Sequence, residues 1–268
     1  MPAILCPSCN KLINSDVPQC PYCGQSRPGM FGFTTWMRKI GIQVDFSRSI
    51  VAICVVLYVL CLLVDPSAIF KMEGFLGFLS PSGNASLLFG MTGFYPVFLH
   101  GHWWTLFTAI YLHGGLLHIF FNTMWIRQLG PMVEEMFGPM RLFIIFTVAG
   151  AMGFILSAVM GNAHTLGASG SIFGLLAAAI VYGRQTGSIA FTQQFVQWAA
   201  ILFIFGFIFP EVDNWAHGGG FVGGYAMAYL FSKESEREGV GAYLGAAVCL
   251  ILTLGGFALQ LFTVLGLI

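Results

Sequence analysis

The chain has 268 residues, of which 57% are hydrophobic and only 8% are charged. Eleven basic and eleven acidic residues cancel to a net charge of zero, and the mean hydropathy is +0.82. A soluble domain carries about 25% charged residues, so these charges are too few to cover the surface of a soluble protein. The composition excludes a water-soluble enzyme, a disordered chain and a nucleic-acid binder with a basic face, and it places the chain in a lipid bilayer.

The scarce charged residues mark seven predicted membrane-spanning helices. A span needs about 20 apolar residues, and open sheet edges cannot face lipid, so the long uncharged runs are predicted as helices. The uncharged run 74–126 is too long for one helix, and its first part is predicted as a loop because it is rich in Gly, Pro, Ser and Asn. The predicted helices lie near 49–67, 106–127, 141–160, 169–183, 194–210, 215–232 and 240–265.

The basic residues predict how the chain crosses the membrane. Of the eleven, ten fall on one side of a seven-span arrangement, and only Lys71 falls on the other. Since cytoplasmic loops are rich in Lys and Arg, the N-terminus is predicted in the cytoplasm and the C-terminus outside. The first thirty residues show neither the charged start nor the apolar core of a cleavable signal peptide. Residues 31–48 mix aromatic with basic residues, which predicts an interfacial linker.

Four N-terminal cysteines form two CxxC pairs, Cys6 with Cys9 and Cys20 with Cys23, separated by ten residues. Two such pairs place four thiolates around one tetrahedral ion, and zinc suits four sulfur ligands. The alternatives are disulfides or a redox dithiol, but a cytoplasmic N-terminus disfavours structural disulfides. We therefore predict a zinc-ribbon-like module over residues 1–30, which the metal keeps folded because so short a segment cannot build a core.

Polar and small residues stand inside three of the predicted helices, where polar groups are costly and therefore candidates for function. On the second helix, His118 and Asn122 are four residues apart and so share one face. Ser169 opens the fourth helix within Gly-Ala-Ser-Gly, and His217 opens the sixth within Ala-His-Gly-Gly-Gly. Each set also has a structural interpretation. A Gly-x-Ser-Gly sequence is common in spans, a single histidine can line a polar cavity, and the second-helix pair can join helices by hydrogen bonds.

Small residues recur every four positions along the fourth and the sixth helix. Such stripes let two helix backbones approach closely, so we predict that these two parallel helices pack together. Ser169 precedes the first small residue of one stripe and His217 follows the first of the other, which puts the two side chains at the same depth. A serine within hydrogen-bond reach of a histidine is the minimum for an activated nucleophile. The stripes are Gly170, Gly174 and Ala178 on the fourth helix, and Ala216, Gly220, Gly224 and Ala228 on the sixth.

Taken together, these segments resemble the rhomboid family of intramembrane serine proteases over residues from about 93 to 232. A further segment, GPMVEEMFG at residues 130–138, resembles the family's segment after the second helix. The other matching segments are LHGGLLHIFFN with His118 and Asn122, GASG with Ser169, and AHGGGFVGG with His217.

The resemblance implies the fold class and the division of the chain. We expect an all-α membrane protein with a rhomboid-like six-helix catalytic core over residues 49–232. The zinc-ribbon-like module over 1–30 and the interfacial linker over 31–48 precede this core. One extra C-terminal transmembrane helix, within residues 233–268, follows it.

The resemblance also implies a Ser-His dyad without a third, acidic member. Ser169 is expected to attack the peptide carbonyl, and His217 is expected to take its proton and deliver it to the leaving amine. His118 and Asn122 are expected to form the oxyanion hole together with the backbone N–H of Ser169. The sequence agrees with a dyad, since the only Asp or Glu inside a predicted helix is Asp65, near the end of the first.

Two further residues near Ser169 take their expected roles from the resemblance. Phe173, one helical turn after Ser169, is expected to stack on His217, and Gly167 is expected to allow a tight turn before the nucleophile. One position departs from the family pattern, because Thr105 follows two tryptophans where the family often has an arginine. That arginine is understood as structural, so its replacement bears on the stability of the loop and not on the mechanism.

The preferred function is an intramembrane serine endopeptidase. The alternative is a catalytically inactive rhomboid-like protein that binds transmembrane segments, and the intact Ser169 and His217 argue against it. A transporter or a seven-helix receptor would need intramembrane charges for ions or protons, and the predicted helices lack them.

The expected substrates are single-span membrane proteins that are cut near the outer membrane face. A fourth helix of about 15 residues is roughly 22 Å long, shorter than the hydrocarbon core of about 30 Å, so Ser169 lies below the outer surface. Catalysis is expected to need no cofactor, and zinc is expected only as a structural ion. The expected partners are these substrates, the lipid bilayer and a cytoplasmic partner of the zinc module, with no nucleic acid. The expected location is a bacterial inner (cell) membrane.

Overall fold

The computed structural model describes residues 3–6, 9, 11–14, 17–25, 45–70, 78–232 and 238–267. Most of the predicted linker, residues 31–44, lies outside the described residues, and so does Lys71. Over the described ranges the chain forms a small N-terminal hairpin and seven long helices. The helices are α1 (Phe46–Val64), α2 (Leu116–Phe137), α3 (Pro139–Val159), α4 (Ser169–Gln185), α5 (Ile189–Ile208), α6 (Asn214–Phe231) and α7 (Val240–Val264).

The N-terminal hairpin pairs strand β1 (Ala3–Leu5) with strand β2 (Leu12–Asn14) in antiparallel register, with Ile4 opposite Ile13. The Ile13 side chain is buried in a small cluster with the four N-terminal cysteines and the partly buried Val17. So few apolar groups cannot stabilise a fold by burial alone, which agrees with a module that depends on a metal.

The second long helix begins later than predicted. It starts at Leu116 and not near residue 106, because Gly114 and the extended Gly115 interrupt the helical backbone just before it. The preceding residues form a short α-helix, Thr105–Thr108, and a 3-10 turn, Ala109–Tyr111. The uncharged run 74–126 therefore contains a helix break at Gly114 and Gly115 that hydropathy alone does not show.

Helix α2 also ends later than predicted. It continues past Arg127 and through Pro131 to Phe137, so the segment 130–138, expected after the helix, forms the last turns of the helix instead. Charged residues near the end of a spanning helix can reach the membrane interface, so they do not have to end the helix. The end comes at Gly138, whose φ of +95° is a left-handed backbone conformation that glycine adopts readily.

By length and composition, four helices in the described part of the chain can cross a membrane, namely α1, α3, α5 and α7. The other three long helices, α2, α4 and α6, carry the polar residues of the predicted site, and α4 and α6 also carry the small-residue stripes. Helix α4 has only 17 residues and is buried along nearly its whole length. Neighbouring helices can cover polar groups within a bilayer. The four apolar helices indicate an integral membrane protein, and the less apolar helices α2, α4 and α6 carry the predicted site.

Helices α4 and α6 lie in backbone contact, which confirms the packing predicted from the small-residue stripes. A Cβ atom added at Gly170 would lie 3.1 Å from the carbonyl oxygen of Ala216, and one added at Gly174 would lie 3.3 Å from that of Gly220. A Cβ atom at Gly220 would approach the carbonyl carbon of Gly170 to 2.6 Å, which is closer than a side chain tolerates. These contacts advance in the same direction along both helices, so the two helices run parallel.

Helix α6 packs equally closely against α3 on another side. A Cβ atom at Gly153 would lie 2.5 Å from the carbonyl oxygen of Ala216, and one at Gly219 would lie 2.7 Å from that of Met152. These contacts run in opposite directions along the two helices, so α3 and α6 are antiparallel. The first turn of α6 is therefore fixed from two sides, by α3 and by α4.

The loop between α1 and α2 is hydrogen-bonded to the bundle, in part through α7. Gln260 of α7 donates to the carbonyl oxygen of Leu87 at 2.8 Å and accepts from the indole of Trp104 at 3.0 Å. Thr105 is buried and donates its hydroxyl to the carbonyl oxygen of His102 at 2.7 Å. The loop therefore has hydrogen bonds at the position where Thr105 replaces the arginine.

Candidate active site

Ser169 is the first residue of α4, at the point where the α3–α4 loop turns into the helix. Gly167 makes this turn with a φ of +121°, and its amide donates to the carbonyl oxygen of Ala109 at 2.9 Å. The half-buried Ser169 therefore stands at a helix N-terminus. There the free backbone N–H groups of the first turn carry partial positive charge and favour a developing oxyanion.

His217 lies in the first turn of α6 and is buried. Its imidazole stacks on the ring of Phe173, with ring centroids 4.3 Å apart and an interplanar angle of 19°. Because Phe173 is one turn after Ser169, the stack places the imidazole beside the first turn of α4. Within the described ranges no hydrogen bond joins the Ser169 hydroxyl to His217. The two residues stand on facing first turns of helices that are in backbone contact.

His118 and Asn122 of α2 line the same turn. A Cβ atom at Gly167 would lie 2.7 Å from His118 Nε2 and 3.9 Å from Asn122 Nδ2, so a larger residue there would displace the imidazole. The amide of Gly114 donates to His118 Nδ1 at 3.3 Å, which leaves the proton of a neutral imidazole on Nε2. Two side-chain donors, the imidazole N–H and the carboxamide, therefore lie beside the turn that precedes Ser169.

The structure thus brings together the six residues predicted for the membrane site. Helix α4 supplies the serine and the aromatic ring, α6 supplies the histidine, α2 supplies the two oxyanion candidates, and the α3–α4 loop supplies the glycine. The six are Ser169, Phe173, His217, His118, Asn122 and Gly167.

His113 belongs to the same neighbourhood but has no predicted role. Its ring is buried and meets the ring of His118 edge to face, with centroids 5.1 Å apart. Neither ring nitrogen has a hydrogen-bond partner among the described residues. The only signal in the sequence is that His113 precedes His118 by five residues, which is not a helical spacing and gives no reason to group the two.

Asp213 is the residue near the site that the sequence analysis missed. It is the N-cap of α6, and its carboxylate accepts a hydrogen bond from the amide of Ala216 at 3.0 Å. An aspartate directly before a predicted helix is a normal N-cap signal. This rule would have placed its carboxylate one turn before His217.

The four N-terminal cysteines form a separate candidate metal site. Their sulfur atoms all lie within 4.8 Å of one another, with 3.5 Å between Cys6 and Cys23 and 3.7 Å between Cys9 and Cys20. Four sulfurs at about 2.3 Å from a tetrahedral zinc ion would be separated by about 3.8 Å. The cluster therefore has the size and the ligand type that zinc requires.

The pKa values of two of these thiols bear on whether the cluster can bind a metal cation. At Cys23 burial acts to raise the pKa, but the backbone hydrogen bond at Gln25 and the three neighbouring cysteines outweigh it and lower the pKa to about 6. At Cys9 a backbone hydrogen bond at Lys11 acts to lower the pKa, but burial and the other thiols raise it to about 11. The neighbouring thiols thus favour the thiolate at Cys23, and thiolates are the form in which cysteine binds a metal.

Comparisons with known proteins agree with the architecture of the membrane part. The chain is 35% identical over 160 residues to Rhomboid protease GluP of Bacillus subtilis (strain 168), a match that covers 59% of this chain and 31% of that protein. It is 34% identical over 134 residues to RHOMBOID-like protein 1 of Arabidopsis thaliana, covering 48% of this chain and 34% of that protein. Putative rhomboid protease YdcA of Bacillus subtilis (strain 168) is 29% identical over 154 residues, or 55% of this chain and 77% of that protein.

The chain spans about a third of the length of the first two of these relatives. The family profile described as the Rhomboid domain matches residues 100–234, about half of the chain. This match covers helices α2 to α6 and all six residues of the membrane site. The chain belongs to the rhomboid family.

Proposed function

We propose that this protein is an intramembrane serine endopeptidase in which Ser169 is the nucleophile and His217 is the general base. The observation that carries the proposal is the stack of His217 on Phe173, one turn from Ser169, at the contact between α4 and α6. Membership of the rhomboid family supports it, since two of the relatives are named as rhomboid proteases.

In the proposed reaction, the Ser169 hydroxyl attacks the carbonyl carbon of a peptide bond while His217 takes its proton. The tetrahedral intermediate then expels the amine as the carbon–nitrogen bond breaks, and the imidazolium gives its proton to that amine. Water next attacks the acyl ester, with His217 again as the base. This second step releases the carboxylic acid and restores the serine.

The oxyanion of each tetrahedral intermediate needs donors that are already in place. We assign this role to the protonated Nε2 of His118, the carboxamide of Asn122 and the N–H groups at the start of α4. All three lie around the Gly167 turn, and the low dielectric of a site among buried helices strengthens each of these hydrogen bonds.

The substrates we propose are single-span membrane proteins, cut near the outer face. Helix α4 has 17 residues, or about 26 Å, which is shorter than a hydrocarbon core of about 30 Å. Ser169 at its outer end, in the orientation predicted from the basic residues, would lie below the outer surface. Because a helix hides its peptide carbonyls in hydrogen bonds, the substrate segment must unwind before it is cut.

We further propose that Cys6, Cys9, Cys20 and Cys23 hold one structural zinc ion at the opposite end of the bundle. The Gln25 side chain donates to the carbonyl oxygen of Glu238, in the connection between α6 and α7, at 3.5 Å. Ser169 and His217 lie at the other ends of α4 and α6. The metal would stabilise the module and would take no part in peptide cleavage.

The test is cleavage of a reporter transmembrane substrate by the purified protein in detergent, together with labelling by a serine-directed fluorophosphonate. We expect the wild type to cleave and to be labelled, and Ser169→Ala and His217→Ala to lose cleavage while they remain folded. Ser171→Ala is the matched control, since Ser171 is buried two residues further along α4 and its hydroxyl has no partner among the described residues.

The test also separates the two functions. A wild-type protein that binds the reporter segment, but neither cleaves it nor reacts with the probe, would establish the inactive rhomboid-like alternative. Cleavage that survives in Ser169→Ala would show that another residue is the nucleophile.

A further inference from the structure

The carboxylate of Asp213 is the most heavily hydrogen-bonded side chain in the region around the site. Its Oδ1 accepts from the amide of Ala216 at 3.0 Å and from Asn162 Nδ2 at 2.9 Å. Its Oδ2 accepts from the hydroxyl of Thr165 at 2.7 Å and also from the hydroxyl of Ser157. Four donors on two oxygens use the acceptor capacity of the group almost fully.

These donors belong to the parts of the chain that carry the proposed dyad. Ser157 is near the end of α3, and Asn162 and Thr165 lie in the α3–α4 loop that leads to Ser169. Ala216 is in the first turn of α6, directly before His217. A single carboxylate therefore links the segment that leads to the nucleophile with the helix end that carries the base.

The α3–α4 loop has a second connection beyond this carboxylate. The backbones of Thr92 and Thr165 exchange two hydrogen bonds, at 3.1 and 2.7 Å, and form an isolated antiparallel bridge. The amide of Phe94 also donates to the carbonyl oxygen of Asn162 at 2.7 Å. The α1–α2 loop thus holds the α3–α4 loop by backbone hydrogen bonds. Asp213 in turn joins the α3–α4 loop to the start of α6.

Asp213 does not act as the third member of a catalytic triad in this arrangement. His217 Nδ1 has no hydrogen-bond partner in the part of the chain that the structure describes. The oxygens that could have accepted from it are engaged by the four other donors. The carboxylate therefore makes no hydrogen bond to the imidazole, and its hydrogen bonds join the backbone segments that carry the proposed dyad.

We infer that Asp213 is a positioning residue that sets the distance and angle between Ser169 and His217. This inference rests on the proposed protease function. Charge-assisted hydrogen bonds are short and strong, so a carboxylate with several donors fixes two segments more rigidly than neutral groups would. Because a misplacement of about 1 Å can cost about 10²-fold in rate, losing this link should lower catalysis without removing a reacting group.

The experiment measures kcat per fluorophosphonate-reactive site, KM for a reporter transmembrane substrate, and thermal stability, all on the full-length chain. For Asp213→Ala we expect kcat to fall about 10²-fold with KM nearly unchanged. For Asp213→Asn we expect kcat to recover most of this loss. The amide keeps one acceptor oxygen, and the hydroxyls of Thr165 and Ser157 can reverse to accept from its NH₂ group.

Asp45→Ala is the matched control, because Asp45 is also an aspartate N-cap, on α1, and accepts from the amide of Arg48 at 2.9 Å. It should lose the stability that an N-cap contributes, about 1 kcal/mol, while kcat stays at the wild-type value. Thr165→Val is the second variant, since it removes one of the four donors and leaves the carboxylate in place. It should lower kcat by a smaller factor than Asp213→Ala.

A folded Asp213→Ala protein with wild-type kcat would overturn the inference, as would a Thr165→Val protein with wild-type kcat if Asp213→Ala fails to fold. An Asp213→Ala protein that differs from the wild type only in KM or only in thermal stability would also overturn the inference. Asp213 would then be only a structural N-cap of α6. If instead the wild type shows no Ser169-dependent turnover, the proposed function fails first and the inference falls with it.

Discussion

The imidazole of His217 and the ring of Phe173 lie nearly parallel, at 4.3 Å between centroids, although 44 positions separate them in the sequence. The stack closes one face of the imidazole and leaves its edge free to exchange a proton. Since Phe173 is one turn after Ser169, it also links the orientation of the proposed base, His217, to the start of the helix that carries the proposed nucleophile. The aromatic ring therefore restricts the imidazole from one face.

We expect Phe173→Leu to lower kcat by about 2- to 12-fold, since an aromatic pair contributes about 0.5–1.5 kcal/mol beyond its buried area. The measurement is steady-state cleavage of the reporter substrate. Phe203→Leu is the control, because Phe203 meets Phe173 edge to face, with ring centroids 6.3 Å apart, and its loss leaves the stack on His217 in place. Equal losses in the two variants would assign the effect to general packing.

We expect Asn122→Ala to lower kcat by about 10²–10³-fold, the loss of about 2.7–4 kcal/mol that follows removal of an oxyanion donor. Partial redundancy with His118 would bring the loss toward the lower value. Thr123→Ala is the control, because the neighbouring hydroxyl donates to Ile119 within α2 itself at 2.7 Å. Wild-type kcat in a folded Asn122→Ala protein would remove the carboxamide from the oxyanion hole.

Gly220→Val tests whether catalysis depends on the backbone contact between α4 and α6. A side chain at Gly220 would collide with the backbone of Gly170 and separate the two helices, so we expect at least about a 10²-fold loss in kcat. Gly218→Val is the matched control two residues earlier on α6, since an added Cβ atom there meets nothing within 4 Å. Similar activity in both variants would show that the close contact is dispensable.

The relation between Ser169 and His217 could be predicted because it depends on local patterns. Small residues at a four-residue spacing define a helix face within one segment, and two such faces can be matched without knowing the rest of the fold. The contacts of Asp213 could not be predicted in the same way. Its side-chain partners lie 48, 51 and 56 residues away, and no periodicity in the sequence connects them.

The second helix shows a different limit of sequence reasoning. The run 74–126 contains no charged residue, so hydropathy cannot separate the loop from the helix within it. The signal for the start of α2 is the pair Gly114 and Gly115. The same run contains Thr105, and the hydrogen bonds that Gln260 makes to this loop come from a helix more than 150 positions away. Hence the effect of losing the arginine could not be judged before the fold was known.

Glu238 provides a test at the opposite end of the bundle. Its carboxylate accepts from the amide of Arg141, near the start of α3, at 2.8 Å. Burial raises the pKa of this carboxyl above its ordinary value, although the hydrogen bonds and the charge of Arg141 oppose the shift and Glu134 adds to it. Folding therefore favours the protonated form. The stability that this group contributes is complete below its unfolded pKa and decreases as the pH rises through the folded pKa.

Glu238→Gln should mimic the protonated carboxyl at every pH. We expect its Tm to exceed that of the wild type at pH 8 and the difference to vanish near pH 4, as measured by thermal unfolding in detergent. Glu211→Gln is the control at an exposed acidic residue and should show no such convergence. A Tm difference of constant size across this pH range would contradict the assigned direction of the pKa shift.

The N-terminal module should bind one zinc ion per chain through its four cysteines, with zinc–sulfur distances of about 2.3 Å measured by X-ray absorption. Cys20→Ser should lose the metal, whereas Cys61→Ser, at a cysteine buried in α1, should retain it. Less than about half an equivalent of zinc in protein purified without a chelator would argue against a structural site, since such sites bind zinc tightly.

Deleting residues 1–30 tests whether this module and the active site are independent. The module contacts the bundle through Gln25 and Glu238, at the end away from Ser169 and His217, so it cannot reach the cut peptide bond. We expect the truncated protein to keep kcat near the wild-type value and to unfold at a lower temperature. It should also lose any partner that the module binds on its side of the membrane. A folded truncation that lost most of its kcat would require coupling through the length of α4 or α6, and the separation of the two sites would then be wrong.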